Sequence, residues 1–173
     1  AAPYNVCPMN RNLTHVDERG RARMVDTSGK PQTVRKAVAR GDFVAAKATL
    51  DRLVTGNLPK GEALAVARIA AVAAAKRTDE IIPLCHSLPL DHAQVDFERV
   101  AEDRLRVRGS ASVVARTGVE MEALVAVVAA CLTLYDMTKA IDPNLRIEAV
   151  VLEHKQSSDV AIDKPNPHSS PAS

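Results

Sequence analysis

EMEALVAVVAACLTLYDMTKAI, residues 120–141, is the stretch on which the fold turns. Glu120 and Glu122 stand in its first turn, Asp136 and Lys139 near its end, and Ala123 to Tyr135 carries no charge. No glycine or proline interrupts it, and Asp142-Pro143 stops it, so it reads as one long helix. Apart from Thr133 it is apolar around its whole circumference, and such a helix is buried on more than one side. A single sheet covers one side only. A second subunit is the natural cover for the rest, and an oligomer is expected.

Working outward, Gly61 to Lys76 is an Ala-rich helix with Lys76 and Arg77 in its last turn, where the helix dipole favours cations. Val95 to Val100 and Leu105 to Val114 alternate with period two around the charged turn 101–104, the pattern of a hairpin. Arg146 to Glu153 alternates as a further strand. TVRKAVARG (33–41) does not settle strand against helix, and Asp42 reads as the cap of a short helix over 43–54. Setting that short helix aside, the order is βαββαβ. The expected fold class is α+β, ferredoxin-like: an antiparallel sheet with two long helices on one face plus one extra short helix. Residues 1–12 read as a flexible N-terminal arm, 13–155 as the folded body, and 156–173, rich in Ser and Pro, as a disordered tail.

Composition narrows the class. The chain has 173 residues, 46% hydrophobic and 25% charged, which suits one globular domain. Aromatics make up 2%, so Ala, Val, Leu and Ile must build the core, and they favour close helix packing. A net charge of +2 is too mild to imply nucleic acid. Cys7, Cys85 and Cys131 are odd in number and widely spaced, giving neither a disulfide framework nor a zinc motif. A reducing compartment follows: the cytoplasm, or the mitochondrial matrix if a transit segment has been removed. The uncharged run 123–134 is too short to span a bilayer. No metal, cofactor, nucleic acid or membrane partner is expected.

The charges at the ends of the apolar helices admit two readings. Glu120 and Glu122 complement the dipole at a helix N-terminus, an effect of about 0.3–1 kcal/mol each, or they line a site. Asp136 opposes the dipole near the C-terminus, so either it pairs with Lys139 at i, i+3 or the two form a tuned acid and base. Glu122 and Asp136 are fourteen residues apart, about 21 Å along a helix, too far to share one small reaction centre within a protomer. In antiparallel helices Lys60 falls near Asp136 and Lys139, and Lys76 with Arg77 near Glu120 and Glu122. The result is two half-sites that a symmetric dimer brings together. The segment Asp79 to His92, which holds Cys85 and His86 between Pro83 and Pro89, reads as a rigid, non-helical loop. Adjacent residues rarely ligate one ion, so His86 reads as a binder of an anionic substrate or as a structural histidine. Met121 and Tyr135 read as packing.

Three blocks, LTHVDERGRARMVD (13–26), LPKGEALAVARIAAVAAAKRTDEIIPLCHSLPL (58–90) and RTGVEMEALVAVVAACLTLYDMTKAIDP (116–143), resemble the cyclic pyranopterin monophosphate synthases. These are the accessory protein C family of molybdenum cofactor biosynthesis. The resemblance implies a ferredoxin-like fold, a homo-hexamer built as a trimer of dimers, and a site at a dimer interface. It implies a lyase that converts a GTP derivative, 3′,8-cyclised dihydro-GTP made by a radical-SAM partner, into cyclic pyranopterin monophosphate with release of pyrophosphate and no redox step. Such chemistry needs acid–base groups and a basic triphosphate clamp. By the same resemblance Asp136 and Lys139 match the principal acid–base positions. Lys60, Lys76, His86, Glu120 and Glu122 match substrate-binding positions, Cys85 and Met121 are their motif neighbours, and Lys155 holds the place of a final lysine. The chain departs from the family pattern at Ser87, where proline is usual, and at Gln156-Ser-Ser-Asp159, which stands where a glycine-rich basic run is usual.

Two other classes compete: a non-catalytic subunit that keeps the interface, and a nucleic-acid-binding ferredoxin-like module. The second expects aromatics on the sheet for base stacking, and Phe97 alone lies on a predicted strand.

Overall fold

The computed structural model describes residues 21–160. Four antiparallel strands, β1 (Thr33–Val44), β2 (His92–Ala101), β3 (Arg104–Ala115) and β4 (Arg146–Ser158), form one sheet in the order β2-β3-β1-β4. The long helices α2 (Ala63–Ala75) and α4 (Glu120–Thr138) lie side by side on one face, α4 over β1, β3 and β4 and α2 over β2. The ferredoxin-like βαββαβ order is therefore present. TVRKAVARG, ambiguous in sequence, forms most of the central strand β1.

Alternation explains why these segments are strands. Ala37, Ala39, Phe43, Val95, Leu105, Val107, Ala111 and Val113 point at the helices and are buried. The opposite face carries Arg40, Asp42, Arg104, Arg106 and Arg108 instead. There Asp42 accepts from Arg106 (2.9 Å) and Arg104 (3.2 Å), while Glu153 pairs with Arg40 (3.0 Å) and Arg108 (3.0 Å). Phe97 faces the helices, 5.4 Å beneath the Arg68 guanidinium, which removes it as a platform for bases.

The core is built on small residues, as the scarcity of aromatics requires. Ala63, Ala67, Ala71 and Ala75 of α2 recur every four residues along its buried stripe, beside Ala123, Ala126 and Ala130 of α4. Val127 seats one methyl over Gly41 and the other over Gly109: a Cβ at either glycine would stand 2.8 Å from it. At 19 residues α4 is long and apolar enough to cross a membrane, unlike its uncharged centre alone. It is instead a core helix, with Ala123, Val127, Cys131 and Leu134 fully buried against the sheet and α2.

Several boundaries differ from the sequence reading. The short helix α1 is Lys47–Val54, not 43–54, because Phe43 and Val44 pair with Leu105 and Arg104 and extend β1. Asp42 is thus a strand residue held by arginines. The N-cap of α1 is Ala46, which offers no side-chain cap; its own N–H is held by the Asp142 carboxylate (2.7 Å), which also accepts from the Asn144 N–H (2.9 Å). A further single-turn helix, α3 (Thr78–Ile81), precedes Pro83 in the segment expected to be non-helical. Proline disfavours helix only at itself and the residue before it. Helix α4 ends at Thr138, its last turn tightened by the bond from the Ile141 N–H to the Thr138 carbonyl (2.9 Å). Strand β4 runs to Ser158, past the expected start of the tail at 156, because Gln156, Ser157 and Ser158 keep pairing with Lys36, Arg35 and Val34. The arm 1–12 and residues 161–173 of the tail lie outside the described residues.

Ala149 has φ 50°, left-handed for a non-glycine residue, at the irregularity where β4 passes Gly41. Ala149→Gly removes that cost, about 1 kcal/mol. The expected result is a Tm raised by about 2–4 °C by calorimetry, and a lowered Tm contradicts it.

Candidate active site

Two polar clusters occupy the two ends of α4. At its C-terminal end Asp136 receives Lys139 Nζ on Oδ1 (2.7 Å) and Lys60 Nζ on Oδ2 (3.0 Å), and Lys60 also reaches the Asp136 carbonyl (2.9 Å). The last contact satisfies a carbonyl the helix end leaves unpaired. Lys139 and Lys60 hold the Asp136 carboxyl down to about 2, Lys139 contributing most, and Asp136 in turn raises the Lys139 ammonium. The cluster carries one acid and two cations and lies open to solvent, with all three side chains around half exposed.

At the N-terminal end, a cleft of about 460 Å³ opens between the segment before β1, the α3 loop and the first turn of α4. Thr27, Lys30, Cys85, His86, Glu120 and Met121 are among its lining residues. A hydrogen bond of 2.8 Å between His86 Nε2 and the Val25 carbonyl fixes the ring and ties the two loops together. A smaller cleft of about 170 Å³ lies beside it, lined by Lys36, Lys155, Gln156 and Ser157 and sharing Gly118 and Glu120 with the first. Lys155 Nζ stands 3.6 Å from Glu120 Oε1.

Glu122 is the unusual member. Only 2% of it is exposed, its Oε1 lies 3.9 Å from Cys85 Sγ, and its Oε2 has no hydrogen-bond partner. Burial pushes its carboxyl up, and its own backbone N–H offsets this in part. Burial, then the Glu122 charge, pushes the Cys85 thiol up as well, so this cysteine is a weak nucleophile. Cys131, on the buried face of α4, is pushed up to about 12 by burial. Oε2 of Glu122 and Nε of Arg35 are the buried side-chain polar atoms without a partner among the described residues. One is an acceptor and one a donor, and native proteins rarely leave such atoms unpaired unless something binds there.

A raised carboxyl binds more protons folded than unfolded, so its effect on stability worsens as pH rises through the ordinary glutamate range and stays unfavourable above the folded value. Glu122→Gln should therefore raise Tm at pH 7–8 by about 2–4 °C and change it little at pH 4. A drop in Tm at pH 8 would show that the ionised carboxylate is paired.

The structure joins Lys60, Asp136 and Lys139 as the helix spacing requires, and gathers Cys85, His86, Glu120, Met121, Glu122 and Lys155 at the other end. Lys76 lines neither cleft. It lines a shallow groove on the outer side of α2 with Arg68, Ile69 and Val72 and forms no ion pair with either glutamate. The chain turns into α3 immediately after it, where Arg77 pairs with Glu80 (3.5 Å). Thr27, Lys30 and Gly118 line the cleft without having been singled out. The turn VDTSGK that carries the first two shows no periodicity, so no signal pointed to them. No group of three metal-binding side chains occurs among the described residues.

Fold and site together define a ferredoxin-like domain with an acid–base cluster at one end of its core helix and a cation-rimmed cleft at the other. The MoaC family model matches residues 24–158. Relatives named cyclic pyranopterin monophosphate synthase include a protein of Novosphingobium aromaticivorans, 52% identical over 145 residues covering 84% of this chain and 92% of the relative. One from Roseiflexus sp. RS-1 is 52% identical, covering 83% and 92%. Cyclic pyranopterin monophosphate synthase 1 of Mycobacterium tuberculosis H37Rv is 50% identical over 143 residues, covering 83% and 84%. The chain belongs to the MoaC family.

Proposed function

We propose that this protein is a cyclic pyranopterin monophosphate synthase of molybdenum cofactor biosynthesis, a pyrophosphate-releasing lyase acting on 3′,8-cyclised dihydro-GTP. The observation that carries the reading is the Lys60–Asp136–Lys139 cluster, an ionised carboxylate holding two ammonium groups within hydrogen-bond reach. Asp136 keeps Lys139 protonated and aimed. Lys139 serves as the acid when the imidazole ring opens, and as the base once it has given up its proton. In the closing step a sugar hydroxyl attacks the α-phosphorus and loses its proton. The bond to the β-phosphate breaks, and pyrophosphate leaves against Lys155, Lys30 and the other cations.

Both ends of α4 are needed and they lie about 21 Å apart, so the working site takes its acid–base end from one protomer and its cleft from another. Val128, Leu132 and Tyr135, at i, i+4 and i+7 of α4, are exposed, with Val66 and Ile69 beside them on α2. Ile69 is 71% exposed, a surface that asks for cover. The hexamer, a trimer of dimers, supplies it. The substrate comes from a radical-SAM GTP cyclase, and the protein works in the cytoplasm without metal or cofactor.

Purified protein is to be incubated with 3′,8-cyclised dihydro-GTP while cyclic pyranopterin monophosphate and pyrophosphate are followed together. Equal release of both is expected. Binding without product would point to the C-terminal strand, where the usual glycine-rich run is replaced, and to a non-catalytic subunit. Neither binding nor product from a folded oligomer rejects the function.

A further inference from the structure

Gly118 is a glycine for no backbone reason. Among the described glycines, Gly56 and Gly61 adopt positive φ; Gly118 does not, and an alanine could follow its backbone. Space is the constraint. A Cβ there would stand 2.6 Å from Cδ of Glu120 and 2.7 Å from its Oε1, and closer still to Oε2. The Glu120 carboxylate is folded back over the glycine, into the volume a side chain would fill. It is steadied from the other side by Lys155 Nζ at 3.6 Å. Gly118 and Glu120 are also the residues common to both clefts, so this carboxylate forms the wall between them.

We infer that Gly118 is a positioning residue that sets the place of the Glu120 carboxylate between the two clefts, where the substrate is bound. The inference rests on the proposed synthase reading. The nearest atoms a methyl group at Gly118 meets are the far end of a flexible side chain, which can swing aside at little cost to the fold. The carboxylate must move by an ångström or more, which leaves Lys155 and reshapes both clefts. Displacements of that size in a binding constellation cost about 10- to 100-fold in rate.

The test is a double-mutant cycle of the parent, Gly118→Ala, Glu120→Ala and the double variant, with kcat, KM and Tm measured for each. Gly118→Ala is expected to lower kcat/KM by about 10- to 100-fold with Tm within about 1 °C of the parent. On the Glu120→Ala background the same substitution should have no further effect, since its clash partner is gone. Independent, multiplicative losses overturn the inference, as does parental activity in Gly118→Ala. A loss of activity accompanied by a lowered Tm in Gly118→Ala also overturns it, because the glycine is then a folding requirement. A parent without turnover rejects the synthase reading itself, and the positioning role falls with it.

Discussion

Lys139→Ala is expected to lower kcat by about 10³-fold, in the range that a positioned acid or base contributes, while leaving Tm and oligomeric state unchanged. The ammonium lies at the surface, at the C-cap of α4, and holds no core contact. Among the described residues its ion-pair partner is Asp136, 2.7 Å away, so removing it costs chemistry and almost no stability. The companion change, Asp136→Asn, supplies a sign. Asp136 raises the Lys139 ammonium, so its loss lowers that value. If the protonated amine is the acid, activity disappears as pH rises through it, and the alkaline limb of kcat/KM moves to lower pH in Asp136→Asn. A limb that stays in place, or moves up, excludes Lys139 as the acid. Steady-state kinetics across pH 6–11 decide the matter.

Gly109→Ala is expected to destabilise the fold by about 1–3 kcal/mol, lowering Tm by about 3–10 °C. The new Cβ would meet Val127 Cγ2 at 2.8 Å and the Ala123 carbonyl oxygen at 3.0 Å. The methyl can rotate away but the carbonyl is helix backbone, so α4 itself must lift from β3. Because both half-sites ride on the ends of this helix, activity should fall with stability. Val127→Ala removes the methyl group but not the carbonyl, so the Gly109→Ala/Val127→Ala double variant should be less destabilised than the two single costs combined. Strictly additive costs would mean that the contact does not limit how close α4 can come to the sheet.

The sequence made the order of elements legible because burial leaves periodicity behind. The uncharged circumference of α4, the alanine stripe of α2 and the alternation of the hairpin each reflect one buried face. Helix rise then separated Glu122 from Asp136, and the antiparallel helices of the expected fold put Lys60 beside Asp136, a contact seventy-six residues apart in sequence. What stayed hidden depends on local tertiary contacts. Asp42 has the chemistry of a helix cap, yet Arg104 and Arg106 on the neighbouring strand claim it, and α1 starts at Ala46, whose N–H the remote Asp142 holds. Thr27 and Lys30 reach the cleft through the bond between His86 and the Val25 carbonyl, which no pattern encodes. Lys76 was assigned to the glutamate end by helix direction, but direction says nothing about which side of α2 a terminal residue faces. Gly118 and Gly109 look alike in sequence. One makes room for the Glu120 carboxylate and the other for a core helix, a difference visible only once neighbours are in place.

If the acid–base end of one protomer serves the cleft of another, two variants damaged at opposite ends of α4 should restore each other by subunit complementation. Lys139→Ala and Glu120→Ala chains, each strongly impaired alone, are to be co-expressed with different tags and unselected mixed oligomers assayed. Each mixed dimer would hold one site with both lesions and one site with neither. Random pairing then predicts recovery of about a quarter of parental turnover. Activity no higher than that of the two single variants would mean that both ends act within one chain, and would contradict the account.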